Sequence, residues 1–392
     1  MAPHMPQASV DVLVVGGGPA GLYAAERIAR RGHGVLVCEE HGAIGSPVHC
    51  TGVLASESFS DLDLPREATL NALTTARFVS PSGLVVDYAT PSPLATVIDR
   101  VAFDRTLAAR TRAAGAEVRV GARVSTLEPR TDGVTAIVGD TCIHARLAVL
   151  ACGASYGFQR RFGLGLPLVY LHTAQRELPA RRLGDVELHF GRAVAPDGFA
   201  WVVPVVRPDG KFARIGAMAS DDALGAYTRM VSRVAEPWGL TVDDAPPRQK
   251  LLPLGEIPRT YADRLLVIGD AAGLVKPTTG GGIHYSILSA GLAADVADDA
   301  LRRDRLDAAT LGRYEKDWRH RLADELATQH ELRRVVTSLD DAEVDRLFDL
   351  AQTDGIMPLV RKTAQFNHHR HLIRALFKHP PARRILFRSL VG

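Results

Sequence analysis

Residues 10–39 read VDVLVVGGGPAGLYAAERIARRGHGVLVCE. The apolar run 10–15 has the unbroken character of a strand buried on both faces. Gly16-Gly17-Gly18-Pro19-Ala20-Gly21 follows at once, then a helix-compatible stretch over 22–31, then Gly32 and a second apolar run over 35–38 that ends at Glu39. This strand–turn–helix–strand order is the context that gives a GxGxxG pattern physical meaning. Gly16 makes the tight turn, Gly18 lets a pyrophosphate approach the backbone, and Gly21 lets the helix pack closely on the strand. The helix N-terminus then faces the phosphates with unpaired N–H groups. Glu39, about 20 residues beyond the glycines, stands where a carboxylate accepts from both ribose hydroxyls.

A second glycine cluster lies far along the chain, where residues 269–291 read GDAAGLVKPTTGGGIHYSILSAG. An apolar run over 264–268 leads into Gly269-Asp270, and Asp270 suits sugar or ribityl hydroxyls at a strand end. Gly280, Gly281 and Gly282 let backbone amides approach a flat ring at the start of a helix that begins at Ile283. Two such elements in one fold indicate a flavin dinucleotide, FAD. Between them, Arg100-x-x-Phe103-Asp104-x-x-Leu107 opens a predicted helix over 101–114, and a strand over 117–120 leads to Gly121-Ala122-Arg123-Val124. Arg100 and Val124 are therefore expected beside the flavin; the plainer reading of Arg100 is a surface cap or ion pair.

The chain's 392 residues allow one large or two interleaved domains. With 47 Lys and Arg against 44 Asp and Glu, bulk charge implies no nucleic-acid partner. No apolar run approaches the roughly 20 residues of a membrane span, and the N-terminus lacks a basic-then-apolar signal. Cys38, Cys50, Cys142 and Cys152 show no disulfide or zinc spacing, so no metal site is read and a reducing cytoplasm fits. His368-His369-x-His371 lacks supporting Cys or carboxylate ligands and reads as surface. After Asp354 there is no acidic residue. Arg361, Lys362, Arg370, Arg374, Lys378, Arg383, Arg384 and Arg388 alternate there with Leu372, Ile373, Leu376, Phe377, Ile385, Leu386, Phe387 and Leu390. Two readings of this tail stand: a contact with the inner face of the membrane, or helices packed on the body with a solvated basic face.

Together these elements resemble the p-hydroxybenzoate hydroxylase-like class of FAD enzymes, which includes aromatic hydroxylases, halogenases and geranylgeranyl reductases. Three details are similar to the reductases. Glu39-Glu40-His41-x-x-Ile44-Gly45-x-Pro47-x-x-Cys50-x-Gly52 looks like their loop after the ribose-binding Glu, with its cysteine near the flavin ring. Pro196-x-x-Phe199-x-Trp201-x-x-Pro204 resembles their PxxYxWxFP motif, with Phe199 for Tyr and Val203 for Phe. Thr279-Gly280-Gly281-Gly282-Ile283 and Ser289-Ala290-Gly291 match their TGGGI and SG form. Cys152 stands where this class commonly has the Asp of an ADG segment, which weighs against a hydroxylase.

The resemblance implies an α/β fold: a Rossmann-type FAD-binding domain interleaved with a β-sheet substrate domain, followed by C-terminal helices. Residues 1–71, 99–163 and 261–301 would form the first, 76–98 and 164–260 the second, and 302–392 the helical region with its basic tail. It further implies hydride transfer from reduced FAD to an isolated C=C bond of a prenyl lipid, quinone or diphosphate, with NADPH or a ferredoxin-type donor as external reductant. An unactivated alkene has no polar handle, so binding must come from apolar burial at ~0.8 kcal/mol per CH₂. Phe190, Phe199, Trp201, Val203 and Val205 are tunnel candidates, most of them equally at home in a core; Trp201 and Pro204 stand out. For the proton, Cys50 comes first because the matching family cysteine lies by the ring, followed by His49, His284 and Tyr285. The competing reading is a flavin monooxygenase or halogenase that uses oxygen.

Overall fold

The computed structural model describes residues 7–353 and 355–387; Arg388 and Leu390 of the tail lie outside them. Strand Gln7–Val15 forms the centre of the first sheet. It runs parallel to Thr141–Leu150 on one side and to Val35–Cys38 on the other. Glu117–Arg119 extends the sheet beyond Val35–Cys38, and Leu265–Val267 extends it beyond Thr141–Leu150. Val12, Leu13, Val14, Leu36 and Val37 are completely buried, as parallel strands covered on both faces must be. Helix Pro19–Ala29 packs between Ile283–Arg302 and Arg100–Ala113. The parallel register brings the ends of Gln7–Val15, Val35–Cys38 and Leu265–Val267 together, so both glycine clusters emerge on one edge.

The second sheet has seven strands in the order Arg248–Pro253, Tyr170–Pro179, Gly210–Ala219, Phe199–Arg207, Val186–His189, Thr75–Val79, Val85–Ala89. Its side chains alternate between two environments. Ala200, Val202, Ala213, Ile215 and Ala217 pack under helix Ala223–Trp238, whose Ala226, Met230, Val234 and Trp238 complete that core. Trp201, Val203, Val205 and Met218 point to the opposite side. A third, three-stranded sheet of Val53–Ala55, Ala95–Ile98 and Thr69–Leu73 joins the two larger ones. The excursion read as one unit over 76–98 is thus divided, its last strand pairing with Val53–Ala55 and Thr69–Leu73 rather than with the seven-stranded sheet.

Among the described residues, five helices follow Ile283–Arg302: Ala308–Ser338, Asp341–Thr353, Ile356–Thr363, Arg370–Lys378 and Pro380–Leu386. Val335, Leu339, Ile356, Ala382 and Leu386 form a small separate core, with Leu376, Phe377 and Phe387 half-buried against it. The apolar side of the tail therefore faces the body, while Arg361, Lys362, Arg374, Lys378, Arg383 and Arg384 are exposed. Among the described residues, no helix is long and apolar enough to cross a membrane.

Candidate functional site

Both glycine clusters open into one cavity of about 1430 Å³, larger than the roughly 300–1,000 Å³ of ordinary ligand pockets. At its polar end Gly16 has φ +111°, and a Cβ there would stand 2.3 Å from the Ala151 carbonyl oxygen. A Cβ on Gly21 would meet the Gly16 carbonyl at 2.1 Å, so helix and strand touch through backbone. Gly18 differs: nothing lies within 4 Å of its Cβ position, and no side chain caps the helix that starts at Pro19. Its first turn is left open to the cavity. The Glu39 carboxylate is already fixed, accepting from Gly17 N at 2.7 Å and from His41 N at 3.0 Å. Ala20 and Val124 complete this wall.

The second cluster forms the facing wall. Gly269–Ala272 is a short 3₁₀ turn in which Asp270 accepts from Ser286 Oγ at 3.3 Å and faces the cavity. Helix Ile283–Arg302 also starts without a side-chain cap, and Gly281 before it is exposed. Opposite lies the loop carrying His49, Cys50 and Gly52. Gln175 Nε2 donates to the Cys50 carbonyl at 3.0 Å, and Thr51 Oγ1 donates to Gln175 Oε1 at 2.9 Å. Gly52, at φ +67°, has no room for a side chain because Arg214 Nη1 would be 2.5 Å away. Cys50 Sγ accepts from Gly52 N at 3.3 Å. Arg100 opens its helix, pairs with Asp104 at 3.0 Å and lines the cavity, while Asp99 supplies the cap. Burial opposes charge on Arg100, but the Asp104 carboxylate outweighs it and holds the guanidinium protonated. His49, beside Thr173, is pushed below the usual imidazole range by burial and by Lys250. Cys152 donates to the Ser155 carbonyl at 3.2 Å, and burial pushes its thiol up to about 11.

The other end is apolar. Phe199, Trp201 and Val203 line it with Val186, Leu188, Met218, Leu252 and Phe366. The Trp201 ring lies flat over Gly216, where a Cβ would approach its Cζ2 to 2.3 Å. Its indole nitrogen is buried and has no acceptor among the described residues.

Several expectations are corrected here. Pro204 is buried on the helix side of its strand, where its carbonyl accepts from Asn71 Nδ2 at 3.2 Å; the two-residue period that turns Trp201 inward turns Pro204 away. Phe190 and Val205 are not among the lining residues. Tyr285 is completely buried behind the wall, its hydroxyl donating to the Asn367 carbonyl at 2.9 Å and accepting from Gln329 at 3.2 Å. His369 is not a surface residue: it bonds Thr278 Oγ1 at 2.8 Å, and burial pushes it down to about 4. His284 does lie at the cavity, but burial takes it to about 4, and its Nδ1 is engaged by Ser58 at 2.8 Å.

Among the lining residues that sequence reasoning missed are Lys276, Phe366 and Asn367. Lys276 follows the apolar residues Leu274 and Val275 and carries no pattern of its own. Asn367 comes from the segment before the basic tail, yet is 1% exposed and bonds Lys276, Ser58 and Glu57. The one available signal was compositional: Lys276 is a lysine inside an otherwise apolar and glycine-rich loop.

The open Gly18 cradle, the two uncapped helix starts and the preset Glu39 fit an extended dinucleotide. Residues 9–154 match the family model described as an FAD binding domain. A Thermoplasma acidophilum crystal structure described as geranylgeranyl bacteriochlorophyll reductase-like superposes with a TM-score of 0.85 at 23% identity, covering 98% of this chain and 100% of that one. Halogenase PltM shares the fold at a TM-score of 0.70 and 14% identity, over 98% of this chain and 93% of its own. Digeranylgeranylglycerophospholipid reductase from Methanocaldococcus jannaschii is 31% identical over 88% of this chain and 92% of its own. Digeranylgeranylglycerophospholipid reductase 2 from Methanothermobacter thermautotrophicus is 30% identical over 86% and 90%. By that likeness along nearly its whole length, the chain belongs to the digeranylgeranylglycerophospholipid reductase family.

Proposed function

We propose that the protein saturates carbon–carbon double bonds in a polyprenyl chain carried by a lipid, quinone or diphosphate. The observation that carries this reading is the cavity's division into a glycine-walled polar end and an apolar end walled by Phe199, Trp201, Val203 and Met218. The names of the two archaeal relatives point to the same substrate class. When bound and reduced, FAD supplies a hydride to one alkene carbon.

The chain's own residues do the rest. Gly16, Gly18 and Ala20 would hold the pyrophosphate, with Gly21 keeping the helix close to the strand, while Glu39 would hold the ribose and Asp270 the ribityl hydroxyls. Backbone at Gly281, Gly282 and Ile283, together with Cys50, Gly52 and Arg100, would hold the ring. Val124 packs at the polar end. The apolar wall keeps water from the alkene, and each CH₂ it covers contributes ~0.8 kcal/mol. Cys50 and His49 shape the polar rim between the two ends. The seven-stranded sheet serves as the substrate domain, and the first sheet with its helices as the FAD domain. The exposed cations of the tail support electrostatic contact with an anionic membrane surface, where such a substrate resides.

Incubating the FAD-loaded protein with a chemical reductant and a digeranylgeranyl glycerophospholipid tests this reading. The expected product gains two hydrogens per double bond. A product that gains oxygen or halogen would overturn it in favour of an oxygen-using enzyme.

A further inference from the structure

Lys276 belongs to the loop that leads into the three glycines, and its side chain is 3% exposed. Nζ donates to the Phe366 carbonyl at 2.7 Å and to Asn367 Oδ1 at 2.8 Å. Both acceptors are neutral, and Glu57 and Glu325 act on it only through space. An ammonium carries three N–H donors, and among the described residues the third has no acceptor. Lys276 borders the same cavity as Trp201, Leu252 and Phe366. It also lies against the glycine loop, where a Cβ on Gly281 would be 3.8 Å from Nζ. Burying an ammonium between neutral partners is unfavourable unless the group has work to do.

Alkene reduction needs a proton as well as a hydride. We propose that Lys276 is the general acid that protonates the second alkene carbon. This rests on the reading of the cavity as a site of double-bond reduction. In the step, an Nζ–H bond breaks and its proton forms a C–H bond on one carbon, using the π electron pair. The hydride from reduced flavin, a proton with two electrons, forms the C–H bond on the other carbon. The flavin is oxidised, the alkene is reduced, and the amine is left neutral until solvent returns a proton.

The surroundings permit that cycle. Lys276 is faced by Glu57 from helix Glu57–Asp61, Glu325 from Ala308–Ser338, His284 and Tyr285 from Ile283–Arg302, and His369 at the start of Arg370–Lys378. Both histidines are held neutral near pH 7 by burial and add no competing charge. Burial outweighs the two carboxylates and brings the ammonium down to about 7, so it gives up and regains a proton near neutrality.

The test is anaerobic single turnover of the reduced holoenzyme with geranylgeranyl diphosphate, followed against pH, for wild type, Lys276→Met and Lys276→Gln. Glutamine keeps hydrogen-bond donors for Phe366 and Asn367 but cannot deliver the proton. Wild-type rates should fall about tenfold per pH unit above pH 7, and both variants should lose about 10²–10⁴-fold with that pH limb abolished. FAD binding and dithionite reduction of the flavin should be unchanged. Independently of turnover, wild-type apo-protein should gain stability relative to Lys276→Gln between pH 7 and 10.5, because the unfolded lysine alone is still protonated there. Variants that reduce the alkene at the wild-type rate with the same pH limb would overturn the assignment to Lys276. A wild-type enzyme that reduces no prenyl substrate would instead overturn the reading on which it rests.

Discussion

At the scale of single residues, the site is built as much from missing side chains as from present ones. Gly21→Val would drive a methyl-bearing Cβ into the Gly16 carbonyl, now 2.1 Å from that position. Overpacking of this kind costs about 1–3 kcal/mol, so FAD affinity should fall by roughly tenfold or more, measured by flavin fluorescence titration. Gly216→Ala acts at the other end, because Trp201 Cζ2 lies 2.3 Å from the new Cβ. It should displace the indole and raise KM for a prenyl substrate several-fold while leaving FAD affinity unchanged. The local geometry of Gly16, Gly18, Gly21 and Glu39 was legible in the sequence because the turn that uses them is local. Trp201 was legible and Pro204 misleading for one reason: a motif names residues, whereas the two-residue period of a strand decides which of them face the cavity. Lys276 and Asn367 meet across 91 positions of chain, a separation no local pattern records.

At the scale of elements, the joint between sheets is an ionic one. Arg214, on Gly210–Ala219, donates to the Thr51 carbonyl at 2.7 Å, to the Ile98 carbonyl at 3.0 Å and to Glu177 at 2.7 Å. Glu177 also takes Arg207, which reaches Asp99 at the cap of Arg100–Ala113. Arg214, which holds the loop bearing Cys50, and Arg207, which holds the helix bearing Arg100, thus share the Glu177 carboxylate of the seven-stranded sheet. Burial alone would raise Glu177, but the hydrogen bond from Arg207 and the charge of Arg214 hold it below the usual carboxylate range. Its contribution is therefore complete above the ordinary Glu value near 4.3 and is lost as pH falls through the depressed one. Glu177→Gln should lower stability by roughly 3 kcal/mol at pH 7, read from denaturant midpoints, with the difference from wild type shrinking toward pH 3. Equal midpoints at pH 7 would show that the two arginines are satisfied without it. The parallel order of the first sheet was readable from its glycines and apolar runs; the joint was not, since Arg214, Glu177 and Asp99 carry no motif and pair only after three elements have docked.

At the scale of the whole molecule, a nucleotide-binding sheet and a sheet with an apolar face share one cavity, and residues of the C-terminal segment border it. Phe366 and Asn367 border that cavity, and the helices beyond them bury their apolar side on Val335 and Leu339. What remains for a membrane is charge. Binding of the protein to anionic vesicles should fall steeply between low and physiological salt, and replacing Arg374, Lys378, Arg383 and Arg384 by Gln should remove roughly 1 kcal/mol per residue. Salt-independent binding, or binding to neutral vesicles alone, would point to an apolar contact instead. Composition showed the tail to be basic and amphipathic; which way its apolar side turns is settled by helices Ala308–Ser338 and Asp341–Thr353, to which it is bound. The central claim, that the cavity joins reduced flavin to a prenyl alkene, is tested most directly by the flavin spectrum itself. Reduced protein is mixed with geranylgeranyl diphosphate under nitrogen. The oxidised flavin spectrum should return in step with one saturated double bond per flavin. A spectrum that stays reduced until oxygen is admitted, with oxygen then appearing in the product, would contradict the account.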